Sequence, residues 1–338
     1  MTDSSIRPIR VFTWHIHGSY LYYLSQAPCI FYIPEKSPAE DGYWGRTPSY
    51  PWGDNVVSVP AEKVKDLEFD CIVFQHKKNY LHDQYEILSE EQRSLPRIYI
   101  EHDPPREVPT DTKHPMDEPD ALLVHVTYFN ELMYNNNRTP TTVVPHGVIV
   151  DESVKYTGEI EKGIVVINNL HKRGRRLGID VFDRVRKEIP LDIVGIAADQ
   201  VGGLGEINNR ELSAFTARYR FFFNPIRYTS LGLAVCEAMM IGCPIVGLAT
   251  TEMPDTITND YSGYVSTNVN FLIDRMKLLL RDPEKAMQLS RGARETALEK
   301  FNIDRFVQDW MHVFEQMTHL RSGISTTHNN SNTTTGTE

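Results

Sequence analysis

Short apolar runs alternate with amphipathic stretches along almost the whole chain, and this rhythm limits the fold more than any other feature. Candidate strands fall at Ile9–Thr13, Cys29–Ile33, Asn55–Val59, Cys71–Phe74, Ile98–Ile100, Ala121–Val126 and Thr142–Val144 in the first half. In the second half they fall at Gly163–Asn168, Leu191–Gly195, Phe221–Phe223 and Ile245–Gly247. Helical stretches lie between them, such as Tyr80–Leu88, Tyr128–Tyr134, Leu177–Glu188, Glu211–Arg218 and Pro283–Lys300. Asp282-Pro283 marks a helix start, with Asp as N-cap and Pro at the first helical position. Such alternation predicts an α/β protein of parallel sheets, because parallel neighbours need a crossover long enough to hold a helix. At 338 residues there is chain for two such domains. The apolar pattern lapses between Pro145-His146-Gly147 and Gly158, which places a first domain at 1–150 and a second at 151–302. Residues 320–338 are polar and read as a disordered tail.

Charge and cysteine usage narrow the function classes. Net charge is −10, and residues 1–150 hold 13 Lys/Arg against 21 Asp/Glu. This argues against a protein whose main task is holding nucleic acid. No apolar run approaches the roughly 20 residues needed to cross a bilayer, and the first residues lack the apolar core of a secretion signal. Cys29, Cys71, Cys236 and Cys243 form no CxxC pair, which suits free thiols in a reducing compartment. The expectation is a cytoplasmic protein, with peripheral membrane contact left open.

The most informative stretch is Phe221–Val265, which reads as strand, turn, short helix, strand and loop. Its helix, Leu233–Ile241, is apolar almost all round, as buried helices are. In its middle stands one carboxylate, Glu237. An unpartnered buried carboxylate is costly, so Glu237 is expected to face a cleft or a ligand. Ser230 is the expected N-cap, and the free N–H groups of Leu231, Gly232 and Leu233 would form an anion site. At a rise of 1.5 Å per residue Glu237 lies roughly 6–9 Å further along, about the gap between a diphosphate and the ribose hydroxyls of one nucleotide. A second signal is the basic run His171–Arg176 directly after a strand. Ligands bind at the carboxyl ends of strands in open α/β sheets, and Arg can grip two phosphate oxygens at once. The competing reading is a solvated basic loop.

These residues are similar to a known family. The segment Asn224–Val265 resembles the donor-binding region of retaining glycosyltransferases of family 4. Ser230-Leu231-Gly232-Leu233, Glu237-Ala238-Met239, Gly242-Cys243-Pro244-Ile245-Val246, Glu252-Met253-Pro254-Asp255 and Asn259–Val265 match its motifs in order. Val144-Pro145-His146-Gly147-Val148 is similar to its domain junction, and Phe301–Met317 to its closing helix. The resemblance implies a GT-B fold, two Rossmann-like domains facing a central cleft, with the helix over 303–319 returning to the first domain. It implies a metal-independent, retaining transferase moving a sugar from a nucleotide-diphosphate sugar, of UDP or GDP type, to a glycan, a lipid-linked acceptor or a small hydroxyl compound, as in polysaccharide biosynthesis. No cofactor is expected beyond that co-substrate.

Carried over residue by residue, the resemblance implies Glu237 on the ribose, the 230–233 turn on phosphate, and Arg173 and Arg176 beside it. His102, in Ile100-Glu101-His102-Asp103, would lie near the donor sugar. The first of the family's two glutamates would fall at position 229, where this chain has Thr229. That leaves open an altered donor sugar or a degenerate enzyme. On the acceptor side, His17 and Gly18 follow the first strand, where the backbone can come close to a ligand at glycine. A metal pair at His15 and His17 is the alternative there. Trp44 and Trp52 lie in a Pro/Gly-rich loop and are candidates for stacking on an acceptor sugar; simple packing over the first domain is the alternative. Two other functions stay open: a sugar- or nucleotide-binding module without chemistry, and a nucleotide-sugar epimerase or hydrolase of the same fold.

Overall fold

The computed structural model describes residues 7–328. The strands are β1 Arg10–Thr13, β2 Ile30–Glu35, β3 Val56–Pro60, β4 Cys71–Phe74, β5 Arg97–Glu101, β6 Thr112–Lys113, β7 Leu122–His125, β8 Tyr134–Asn135, β9 Thr141–Val143, β10 Ile160–Val166, β11 Leu191–Val194, β12 Tyr219–Asn224, β13 Ile245–Leu248 and β14 Gly263–Ser266. Among the described residues they form one sheet in the order β3-β2-β1-β4-β5-β7-β9, another in the order β11-β10-β12-β13-β14, and a short β6-β8 ladder. Within both large sheets the neighbours pair in parallel, for instance Phe12 with Tyr32 and Phe222 with Ile245. Strands β4 and β12 are buried along their whole length, as continuous apolar runs covered on both faces require.

Strand order reverses between β1 and β4 in the first sheet and between β10 and β12 in the second. Crevices for ligands open at the carboxyl ends of strands at such points. The segments that follow β1, β5, β10 and β12 therefore meet across the gap between the sheets. They carry His17, His102, Arg173 and the 229–233 turn.

The closing helix, Ile303–His328, locks the two halves together. Trp310 Nε1 donates to Tyr20 Oη at 3.2 Å, Phe314 packs on Phe31, and Gly147 leaves room for Phe306. A Cβ at Gly147 would come within 2.3 Å of Phe306. The helix runs nine positions past the expected end at 319, through part of the segment read as disordered; the rest of that segment, 329–338, lies outside the described residues. The four cysteines are free and buried. Among the described residues no helix is long and apolar enough to cross a membrane.

Strand β14 and helix Gly18–Leu24 are among the elements that pattern alone does not show. Strand β14 has four residues and begins with Gly263, so it reads as loop; it becomes a strand because Gly263 admits the carbonyl of Ile245 where a Cβ would lie 2.0 Å away. Helix Gly18–Leu24 is rich in tyrosine, a residue that favours strands, and is held by burial of Tyr20, Leu21, Tyr23 and Leu24 against the core.

Candidate active site

Helix Leu233–Met240 follows β12 and buries Val235, Cys236, Ala238, Met239 and Met240. Its N-cap is Gly232, without a side-chain cap. Ser230 is therefore not the cap: its Oγ donates instead to the carbonyl of His102 at 2.6 Å, across the gap between the domains. The reason is distance along the chain, since the helix starts three residues after Ser230 and its hydroxyl is taken by the facing loop. Gly232 opens onto free space, with no heavy atom within 4 Å of where a Cβ would stand. The carbonyl of Leu231 accepts from His146 Nε2 at 2.9 Å, which ties the turn to the hinge.

Glu237 is half-buried and lines a cavity of about 500 Å³ between the two domains. It does not stand alone there. Tyr23 Oη, from the first domain, donates to its Oε1 at 2.7 Å. Desolvation raises the Glu237 carboxyl to about 7, and the tyrosine bond pulls the other way. The same cavity is walled by Asn168, Gly195 and Ile207 of the second domain and by Gly18, Trp44 and Tyr50 of the first. Tyr50 closes the wall between them, with its Oη on Ser19 Oγ at 3.0 Å and on Asn209 Nδ2 at 3.2 Å.

The basic run folds as a short helix, Leu170–Arg173, and a turn, Gly174–Leu177. Its arginines divide into two sets. Arg175 pairs with Asp180 at 2.6 Å, and Arg227 also grips Asp180 through both ends of its guanidinium. Arg173 and Arg176 have no ion pair among the described residues. Burial lowers the pKa of Arg176, helped by Arg106 and Arg173 and opposed by Asp103. Arg173, Arg106 and Asp103 are thus near enough to Arg176 for their charges to act on it through space.

His102 ends up in a cluster of rings, its centroid 4.0 Å from that of His17, tilted, and 4.6 Å from that of Tyr20, edge to face. Its Nε2 is buried without a hydrogen-bond partner. Burial pushes its pKa well below 6.5, and the fields of His17 and His146 add to this. His17 is pushed down to about 4, again mainly by burial. Both rings are neutral at pH 7, able to hydrogen-bond but not to bring a cation. Thr229 Oγ1 stands 3.4 Å from Asp103 Oδ1.

The acceptor-side expectations need two corrections. Trp52 is 9% exposed, donates Nε1–H to Thr47 O at 2.8 Å and packs with His15, Tyr22 and Tyr50. It is core, because its loop folds back on itself, while Trp44 in the same loop is 50% exposed. Gly18 is the first residue of a helix, and the group that approaches it is Tyr50, which a Cβ would meet at 2.7 Å. His15 turns its Nδ1 to the carbonyl of Gly45 at 2.6 Å. Among the described residues no three His, Cys, Asp or Glu side chains converge as metal ligands would. A larger cavity of about 840 Å³ lies on the hinge side of Leu231 and His146, beside Glu252 and Arg305 and away from the Glu237 pocket. Tyr23, Tyr50 and Arg106 were not among the expected site residues; Tyr23 and Tyr50 reach across to Glu237 and Asn209 only through the packing of distant segments.

Comparison with known proteins fits this geometry. Residues 196–296 match the family model described as glycosyl transferases group 1. A poly(ribitol-phosphate) alpha-N-acetylglucosaminyltransferase of Staphylococcus aureus is 24% identical over 134 residues, covering 36% of this chain and 27% of the relative. A trehalose synthase of Pyrococcus horikoshii is 22% identical over 137 residues, covering 40% of this chain and 32% of that protein. The chain thus spans a minor part of the curated relatives it matches. Among solved structures, sucrose-phosphate synthase of Thermosynechococcus elongatus superposes with a TM-score of 0.66 at 14% identity, over 93% of this chain and all (100%) of that one. Anabaena HepE in complex with UDP gives 0.62 at 13% identity, over 92% and 100%. The chain has the GT-B fold, and its residues 196–296 match the model of glycosyl transferases group 1.

Proposed function

We propose that the protein is a retaining, metal-independent glycosyltransferase that moves a sugar from a nucleotide-diphosphate sugar to a glycan or lipid-linked acceptor. The observation that carries this reading is the helix Leu233–Met240, whose uncapped N-terminus and internal Glu237 face the same gap between two domains. Its N–H groups suit a diphosphate. Glu237 suits the paired hydroxyls of a ribose, in charge-assisted bonds. The base then lies toward Gly195 and Ile207, at the carboxyl end of β11, in the cavity that Tyr50 closes. The UDP in the HepE complex supports the same class of ligand. Serving as co-substrate, this donor leaves no step that calls for a further cofactor.

In the reaction the bond from the sugar's anomeric carbon to the diphosphate breaks, and charge grows on the leaving phosphate. Arg173, Arg176 and the amides of Leu231, Gly232 and Leu233 stabilise that charge, which is why no metal is invoked. The bond from the acceptor oxygen to the same carbon forms on the face the phosphate leaves, and the acceptor's proton passes to a phosphate oxygen. Configuration is kept without a carboxylate nucleophile. His102, neutral and with Nε2 unpartnered, hydrogen-bonds the donor sugar, and Ser230 fixes the His102 loop over it. Thr229 lines the same spot. The acceptor enters beside His17 and the exposed Trp44.

A thermal-shift panel of UDP, GDP, ADP and their glucose conjugates tests the reading. One nucleotide family at 100 times its Kd adds roughly 2.7 kcal/mol of stability. Glu237→Ala is expected to keep its fold and bind that family at least about tenfold more weakly, since a charge-assisted bond contributes about 1.5–3 kcal/mol. Equal affinity in the variant would sink the assignment. Thr229, lacking a carboxylate, favours one alternative, a binding module without chemistry; nucleotide binding with no transfer or donor hydrolysis would select it.

A further inference from the structure

Close to Arg176 lies an acidic side chain from the opposite domain. Asp103 lies just after β5; its Oδ2 pairs with Arg106, and its Oδ1 accepts from Thr229 Oγ1 at 3.4 Å. The neighbouring residues repeat the link, with Ser230 Oγ on His102 O at 2.6 Å. Residues 102–103 are therefore stitched to 229–230 by two contacts across the cleft. The Asp103 carboxylate acts on Arg176 through space, alongside Arg106 and Arg173.

A carboxylate beside a diphosphate site repels the phosphates. Its useful partner is the neutral part of the ligand. A carboxylate has about four lone-pair positions and takes hydroxyl donors in short, charge-assisted bonds. Arg106 restrains the Asp103 side chain, and Thr229 adds a hydroxyl that can give or accept. Resting on the nucleotide-sugar reading above, we propose that Asp103, together with Thr229, reads the hydroxyls of the donor's sugar and sets which sugar is accepted. The nucleotide is held by Glu237, Arg173 and Arg176 on the second domain, while the sugar is read at the seam, by Asp103 of the first domain and Thr229 of the second. Sugar recognition then depends on the seam between His102-Asp103 and Thr229-Ser230.

Calorimetric titration of Asp103→Asn with UDP, GDP, UDP-glucose and GDP-mannose tests this, with circular dichroism and melting to confirm the fold. Affinity for the favoured free nucleotide is expected to stay within about twofold, while the ratio of sugar-nucleotide to nucleotide affinity falls about tenfold, equal to 1.4 kcal/mol. Should Asp103→Asn not fold, Asp103→Glu serves instead: the longer arm changes the preference between UDP-glucose and UDP-N-acetylglucosamine, or between their GDP counterparts, without changing nucleotide affinity. An unchanged ratio in both variants, or an equal loss for nucleotide and sugar nucleotide, overturns the sugar contact and leaves the transferase reading standing. A wild-type protein that binds none of these compounds overturns both.

Discussion

On the second domain, the turn and the carboxylate of the cleft belong to one helix and its lead-in, Thr229 to Glu237. On the first domain, His17, Tyr23, Trp44, Tyr50 and His102 reach the same cleft from separate segments after β1, after β2 and after β5. The first arrangement is written locally: a helix fixes the distance between its N-terminus and a residue inside it by rise alone. The second is assembled by packing, and each side chain depends on several contacts elsewhere. The helix that carries Glu237 should therefore keep its internal spacing when the first domain changes, while the opposite face should lose its shape when its packing is disturbed.

The two tryptophans of one loop give the largest expected contrast. Trp52→Ala removes an indole packed against His15, Tyr22 and Tyr50 and is expected to cost about 3–5 kcal/mol of stability. Trp44→Ala, at an exposed position, is expected to stay within about 0.5 kcal/mol and to raise the acceptor KM. Denaturant melts of both variants check this, and equal losses would erase the distinction.

Acid sharpens the comparison next, because the two faces respond with opposite sign. His17, His125 and His146 are pushed down to about 4 by burial, and His102 well below its usual value. The unfolded chain takes up these protons near 6.5 and the folded protein does not. Their contribution is complete above pH 6.5 and is lost as pH falls toward 4, by up to about 2 kcal/mol per histidine at pH 5. Glu237, raised to about 7, works the other way: between pH 4.5 and 7 the folded state holds the extra proton, so acid returns stability. His15, lowered by burial, adds to the histidines and Glu252, raised by burial, to Glu237; five groups against two predict a lower melting temperature at pH 5 than at pH 7.5. A flat profile would contradict the burial of these rings.

The smallest effect tests the link between the faces. Tyr23→Phe removes the one bond that draws the Glu237 carboxyl down. Nucleotide binding is expected to fade at a higher pH than in the wild type, with the fold weakened by about 0.5–1.5 kcal/mol. An unmoved binding profile would mean that Tyr23 does not govern Glu237.

The strand–helix alternation was legible because apolar periodicity is a local property of a chain. So was a short, largely buried helix carrying Glu237. Ser230 was misplaced because an N-cap preference is weaker than a facing acceptor: the carbonyl of His102 takes its hydroxyl, and Gly232 opens the helix. Trp52 was misread because composition marks a loop without saying which way it folds. By itself the sequence determined two parallel α/β sheets and one largely buried helix with an open turn at its start and a single carboxylate inside it. Only tertiary structure decided what faces that helix: Tyr23 on Glu237, Tyr50 over the cavity, and Asp103 beside Thr229. These contacts join residues far apart in the chain, and such distances are set by the packing of two domains rather than by any local repeat.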